Sequence, residues 1–251
     1  TAFAGLVVGL GAIVRNDVAE DCEKIGLGGG VFGCEIRPEY TYNHVAYVIG
    51  NTQNVPVLSF SEQNSKILNY ATNSAYGNSE ASIMAFSVSD SQEINTNNKT
   101  DDDESKSTQT DGNKTDSDKT KAKKEAIRNA FSTEPTRNGA DYYRAISNAI
   151  KALQYARKSE DEKIAVVVYG SGLSDSGVLD FSNSSYGLLS HTPTEVIDTI
   201  KKIESQGVVK NLDIVWYGIG ESVKPQSELN GSTKANLENI YQGAIRYAFG
   251  V

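Results

Sequence analysis

The feature that most constrains this chain is a set of short, nearly continuous apolar runs that alternate with helix-like segments. The runs are "VAYVIG" (45–50), "ASIMAFSVSD" (81–90), "KIAVVVYG" (163–170) and "LDIVWYGIG" (212–220). Strands that are apolar at successive positions, rather than at every second one, are typical of a parallel sheet covered on both faces. The runs therefore predict the buried strands of a largely parallel sheet.

Helix signals lie between and after these runs. Residues 138–158 carry apolar side chains at three- and four-residue spacings, as an amphipathic helix requires. The positions expected to face the core are Ala140, Tyr143, Ile146, Ala149, Ile150 and Leu153. Further helices are predicted near 61–71, over 192–207, where Thr192 and Pro193 form a start signal and Gly207 a stop, and over 236–249.

The alternation of strands and helices predicts an α/β fold with three layers, in which a mostly parallel sheet is flanked by helices. One domain is expected over residues 45–251, after an N-terminal extension over 1–44. Residues 91–120, which include "DDDE" at 101–104, contain almost no apolar side chains to offset the entropy cost of ordering. They are expected to form a flexible acidic loop inside the domain. The net charge of −8 argues against a nucleic-acid partner.

Two features of the extension bear on location. The apolar stretch at 1–14 is too short to span a bilayer alone, and we interpret it either as the end of a membrane anchor or signal segment or as a buried strand or helix. Cys22 and Cys34 have no further Cys or His at metal-ligand spacing, which argues against zinc. A Cys22–Cys34 disulfide is favoured over two free buried thiols, and such a bond indicates a compartment outside the reducing cytosol.

Candidate ligand-binding residues lie in three loops that follow predicted strands: "GNTQN" (50–54), "GSGLSDSG" (170–177) and "GIGESVKPQ" (218–226). In open parallel sheets ligands bind beyond the carboxyl ends of the strands. The candidate residues are Asn51, Thr52, Ser171, Ser174, Asp175, Glu221 and Gln226. A purely structural interpretation stays open, in which Asp180 and Phe181 begin a hairpin and Gln226 braces a turn.

A serine hydrolase or transferase using Ser171 or Ser174 with Asp175 is an alternative. The loop does not match G-x-S-x-G, however, because Gly172 directly follows Ser171. A serine nucleophile also needs a base within hydrogen-bond reach. The chain's two histidines are His44, which precedes a strand and should lie at the opposite edge of the sheet, and His191, which precedes a capped helix. No catalytic residue is therefore predicted, and the protein is not expected to be an enzyme.

The order of elements resembles a von Willebrand factor A-type domain, a Rossmann-like fold. That resemblance implies a divalent cation held by D-x-S-x-S after the first strand, by a threonine before a later helix and by an aspartate after a further strand. Here Gly50 or Asn51 stands at the first aspartate position, Ala140 at the threonine position, and "YGSG" replaces T-D-G. Only Asp175 and Glu221 remain as candidate ligands for magnesium or calcium. No cofactor is expected, and a divalent-cation-dependent adhesion domain is the second alternative.

Residues 45–249 also resemble the amino-terminal domain of OmpA-like envelope proteins from high-GC Gram-positive and related bacteria. The resemblance rests on "VAYVIGNTQNVPVLSF", "GADYYRAISNAI", "VVVYGSGLSDSGVLDFS" and "VWYGIGESVKPQSEL". It implies an extracytoplasmic domain of the cell envelope, anchored in the membrane through a segment upstream of or including residues 1–14. The implied role is non-catalytic binding or scaffolding, with a protein or another envelope component as the partner.

Overall fold

The computed structural model describes residues 8–9, 42–53, 82–89, 125–126, 129–135, 137–182, 189, 191–221, 226 and 228–251. Several predictions fall outside these residues. They are the Cys22–Cys34 disulfide, the helix near 61–71, the acidic loop at 91–120 and most of the apolar start at 1–14.

The four strands predicted from the apolar runs are present, and a fifth, short strand from the start of the chain joins them in one sheet. They are β1 (Val8–Gly9), β2 (His44–Ile49), β3 (Ser82–Ser87), β4 (Ile164–Tyr169) and β5 (Leu212–Tyr217), in the spatial order β1-β5-β4-β2-β3. Strands β2 to β5 are mutually parallel, whereas β1 pairs with β5 in the antiparallel direction. The described helices are α1 (Tyr142–Ala156), α2 (Pro193–Ile200) and α3 (Gly231–Phe249).

Both faces of the sheet are buried. One face is lined by Val48, Val168 and Trp216, which belong to the same apolar core as the buried faces of α1, α2 and α3. On the other face Phe131, in a short helical stretch at 129–132, packs edge-on against Tyr169 with 5.4 Å between the ring centroids. This burial explains why the strands are apolar at successive positions, and it confirms the three-layer α/β fold.

The strand order places a topological switch point between β2 and β4. The chain runs from β2 to β3 on one side and then returns to β4 on the other side of β2. The register sets Ile49, Tyr169 and Tyr217 side by side at the carboxyl ends of β2, β4 and β5. The three glycine-containing loops therefore leave the sheet next to one another, at the position where open α/β sheets bind ligands.

The predicted core positions Tyr143, Ile146, Ala149, Ile150 and Leu153 are buried on α1. Helix α1 begins at Tyr142 rather than at 138, however, so Ala140 is buried just before the helix. Two further helix ends also differ from the prediction. Helix α2 ends at Ile200, well before the predicted stop at Gly207. The chain continues in tighter turns there, in which the Ile203 amide donates to the Ile200 carbonyl, and the Ile203 side chain is 55% exposed. Helix α3 begins at Gly231, five residues before the predicted start, because the Asn230 side chain caps it by accepting from the Thr233 amide at 2.9 Å.

Among the residues that the structure describes, no helix is both long and apolar enough to cross a bilayer.

Candidate functional site

The crevice at the switch point is filled by a tyrosine side chain. Tyr142, the first residue of α1, is 3% exposed, and its hydroxyl lies against the backbone of Gly50 and Gly170 where β2 and β4 end. A Cβ atom on either glycine would overlap this hydroxyl. The two glycines thus leave the space that the phenol occupies, at the point where the fold would otherwise admit a ligand.

Polar groups of the 170–177 loop surround the Tyr142 phenol. Its hydroxyl is hydrogen-bonded with the Ser171 side chain and with the backbone of Ser171 and Gly172. Burial disfavours the phenolate, and this effect outweighs the hydrogen bonds, so the pKa of Tyr142 rises to about 12. At neutral pH the crevice therefore holds a neutral, hydrogen-bonded phenol.

Two more aromatic residues complete the filling of this edge. Trp216 lies between Tyr142 and Tyr241, with ring-centroid distances of 5.7 Å and 4.6 Å, and its indole N–H donates to the Gly170 carbonyl at 2.8 Å. The Tyr241 hydroxyl donates to the Gly172 carbonyl at 2.8 Å. The polar groups of these rings thus hold the turn that follows β4.

Ser174 is part of the same network. Its hydroxyl oxygen accepts from the Tyr142 amide at 3.1 Å and lies 3.0 Å from the Tyr241 hydroxyl. Because the Tyr241 hydroxyl hydrogen is directed to Gly172, the Ser174 hydroxyl donates to the Tyr241 oxygen. This arrangement uses both the donor and an acceptor site of Ser174. The residue is 1% exposed.

The described histidines lie away from these serines in the hydrogen-bond network. His44 is at the amino end of β2, as predicted, and contacts Ser82 and Glu162. The His191 side chain is 54% exposed, and its Nδ1 lies 3.7 Å from the Glu195 carboxylate. Neither Ser171 nor Ser174 has a histidine among its hydrogen-bond partners in the described part of the chain.

Asp175 connects the loop to the start of α1. Its carboxylate oxygen Oδ1 accepts from the Ala140 amide, and its own amide donates to the Ala140 carbonyl at 3.1 Å. Ala140 stands at the position where the A-type resemblance implies a metal-binding threonine. A reciprocal pair of hydrogen bonds occupies this position instead. The residue as a whole is exposed.

Replacing Asp175 should separate its structural contribution from its charge. Asp175→Ala removes the acceptor of the Ala140 amide and is expected to lower the free energy of unfolding by about 1.5–3 kcal/mol. Asp175→Asn keeps an oxygen acceptor and is expected to cost well under half of that. Urea denaturation of the two variants beside the wild type checks this. Equal losses for both variants would contradict the role of the hydrogen bond.

The other candidate residues divide by exposure. Asn51 and Thr52 are buried, and the Asn51 amide nitrogen donates to the Thr133 carbonyl at 3.0 Å. Glu221 is exposed, and its charge adds to burial in raising the pKa of Tyr169 to about 12. Gln226 is half-buried. Four of the seven candidates, namely Asn51, Thr52, Ser171 and Ser174, are thus inside the protein. Asp175, Glu221 and Gln226 reach the surface.

A cation site does not emerge from the described residues. Nowhere among them do three or more His, Cys, Asp or Glu side chains group so as to hold a metal ion. The nearby Asp141 carboxylate caps α1 by accepting from the Arg144 amide at 3.0 Å. Burial is the main cause of the raised pKa of Asp141.

Sequence patterns missed the residues that fill the crevice. The sequence patterns place Tyr142 and Tyr241 only within predicted helices and Trp216 only within a predicted strand. The available signal was the glycine at the end of both β2 and β4. Paired glycines at neighbouring strand ends indicate a close approach by another group, but they do not identify which residue approaches.

No protein-family model, curated protein or solved structure matches the chain.

Proposed function

We propose that this chain is a binding or scaffold domain of a membrane-anchored, extracytoplasmic envelope protein, and that it binds its partner, without catalysis at that site, through the surface of the sheet's carboxyl edge. The partner is a protein or another envelope component. The location rests on the resemblance of residues 45–249 to the amino-terminal domain of OmpA-like envelope proteins. The binding mode rests on the arrangement of the carboxyl edge.

One observation carries the proposal. The side chains that would perform chemistry at the switch point, Ser171 and Ser174, are buried and engaged with Tyr142 and Tyr241. Activating a serine requires a base at its hydroxyl, and the described partners of these hydroxyls are tyrosines and backbone groups. Filling the crevice with the Tyr142 phenol favours recognition at the rim over a small ligand held inside.

The groups left at the rim suggest the chemistry of the partner. Asp175 and Glu221 are acidic residues exposed at this rim, and Gln226 is half-buried. Carboxylates at a protein surface attract lysine or arginine side chains and steer their approach. A basic segment of the partner is therefore the expected occupant.

Calorimetric titration with an oligolysine peptide at low ionic strength tests this proposal. The double variant Asp175→Asn/Glu221→Gln should bind about tenfold more weakly than the wild type, which corresponds to about 1.4 kcal/mol. The matched control is Glu160→Gln/Asp161→Asn, which removes the same charge from two exposed residues in the α1–β4 connection, at the opposite edge. Equal weakening in both variants would mean that net charge alone attracts the peptide, and would refute a site at the carboxyl edge.

A separate titration with magnesium, calcium and manganese tests the cation-dependent alternative. The account predicts no saturable binding at millimolar concentration, because Asp175 is hydrogen-bonded to Ala140 and Asp141 caps α1. Saturable binding that disappears in Asp175→Asn would instead support an adhesion domain that requires a divalent cation.

A further inference from the structure

A second cluster of chemically competent side chains lies at the amino edge of the sheet, where β3, β2 and β4 begin. The Ser82 hydroxyl is 2.7 Å from His44 Nδ1, and His44 Nε2 is 3.1 Å from Glu162 Oε2. The register explains this meeting, because His44 pairs with Ser82 on one side and with Ile164 on the other. Glu162 lies two residues before β4.

The chain Ser82–His44–Glu162 has the order of a nucleophile, a base and a group that orients the base. We propose that Ser82 is an activated nucleophile for acyl transfer, with His44 as its general base and Glu162 as a positioning residue. This activity lies at the opposite edge from the proposed binding surface and is independent of it.

The hydrogen-bond partners fix the tautomer that this role needs. An ionised carboxylate only accepts hydrogen bonds, so the tautomer of a neutral imidazole that fits this contact has its proton on Nε2, facing Glu162. The lone pair of Nδ1 then faces the Ser82 hydroxyl. Glu162 is itself held in place, since Oε2 also accepts from the Lys158 amide at 2.8 Å. This bond, with the contact to His44, keeps the pKa of Glu162 below its usual value.

Exposure is distributed as the reaction requires. The His44 side chain is only 10% exposed, so its hydrogen bonds are shielded from water. Ser82 is half-buried and begins β3, which is the edge strand of the parallel set. Among the described strands β3 has a neighbour only on the β2 side, so the serine is at the edge of the described sheet while the base is fixed behind it.

The proposed reaction is the hydrolysis of an ester, with the ester and water as the reactants. Ser82 Oγ attacks the ester carbonyl carbon while its proton passes to His44 Nδ1. The tetrahedral intermediate collapses, the bond from carbon to the leaving oxygen breaks, and the Nδ1 proton moves to that oxygen, which leaves as an alcohol. Water then attacks the acyl-Ser82 ester by the same route, giving a carboxylic acid and free Ser82.

Covalent labelling with a fluorophosphonate probe tests the proposal. The wild type should be labelled at Ser82, and Ser82→Ala should lose this label. The labelling rate of His44→Gln should be lower by a factor of about 100 or more, since general-base catalysis contributes 10²–10⁴-fold. Glu162→Gln keeps an acceptor for both the His44 and Lys158 N–H groups but loses the charge that stabilises the imidazolium. It should react at least tenfold more slowly with an unchanged melting temperature, and Glu162→Asp should recover part of the rate.

Ser89 provides the matched control. It lies beyond the other end of β3, is also half-buried, and bonds to Ser87 rather than to a histidine. Ser89→Ala should leave labelling unchanged. A wild type that reacts no faster than free serine, or a label at Ser82 whose rate is the same in folded His44→Gln, would overturn the proposal. Hydrolysis of p-nitrophenyl acetate, lost in Ser82→Ala, would extend the result from labelling to turnover.

Discussion

Replacing Gly50 with alanine is expected to lower the free energy of unfolding by about 3 kcal/mol or more, at the upper end of overpacking effects. The new Cβ would overlap the Tyr142 hydroxyl and lie 2.7 Å from the Tyr169 carbonyl oxygen and 2.8 Å from Tyr142 Cζ. The backbone oxygen cannot move without disturbing the pairing of β2 with β4. Urea denaturation, monitored by circular dichroism, measures the loss.

Two further variants show whether the loss comes from this contact. Adding Tyr142→Phe removes the hydroxyl that the Cβ would strike and should recover part of the stability, so that the double variant is more stable than Gly50→Ala alone. The control is Gly231→Ala at the start of α3, where a Cβ has open space. It should be neutral or stabilise by up to about 1 kcal/mol. A Gly50→Ala protein as stable as the control would contradict a filled crevice.

Alkaline pH is expected to unfold the protein through its buried tyrosines. The pKa values of Tyr142 and Tyr169 are each raised from 10.0 to about 12, chiefly by burial. The unfolded chain therefore loses these protons first. Stability is fully present below about pH 10 and is lost as the pH rises towards 12. For the fully buried Tyr142, a pKa raised from 10.0 to about 12 corresponds to about 2.7 kcal/mol of stability.

Tyrosinate absorbance and circular dichroism should change together in this pH range, because the buried phenols ionise when the chain unfolds. Tyr142→Phe should reduce the fall in unfolding free energy between pH 10 and 12 by about 2.7 kcal/mol. Tyr155 is 94% exposed, so Tyr155→Phe should leave the fall unchanged. Ionisation of all tyrosines near pH 10 with the fold intact would show that these phenols are not buried.

Most of the fold could be predicted from local sequence, because strands that are buried on both faces have apolar residues at consecutive positions. Val166, Val167 and Val168 point alternately to the two faces of the sheet, and each is buried. A run of this kind is favourable only in a strand covered on both sides. Helix ends were less predictable. The end of α2 depends on where apolar contacts cease after Ile200, and this is a tertiary property rather than a local one.

The arrangement of the site could be predicted only in part. Parallel strands bring their carboxyl ends together, so the meeting of the 50–54, 170–177 and 218–226 loops followed from the fold. The filling of the crevice could not be predicted in this way, because the contact brings together Gly50, Tyr142 and Gly170 from three separate segments of the chain. The cluster of Ser82, His44 and Glu162 was missed for the same reason. Its members are 38 and 118 residues apart along the chain and meet through strand register.

The central claim is that the serines of the carboxyl edge are structural and that this edge does not catalyse. The most direct test is to treat the folded protein with the fluorophosphonate probe, digest it and locate the modified serine by mass spectrometry. We expect no modification of Ser171 or Ser174, because their hydroxyls are buried and bonded to tyrosines. Modification of either one in the folded protein would contradict the account and favour a serine enzyme at the switch point.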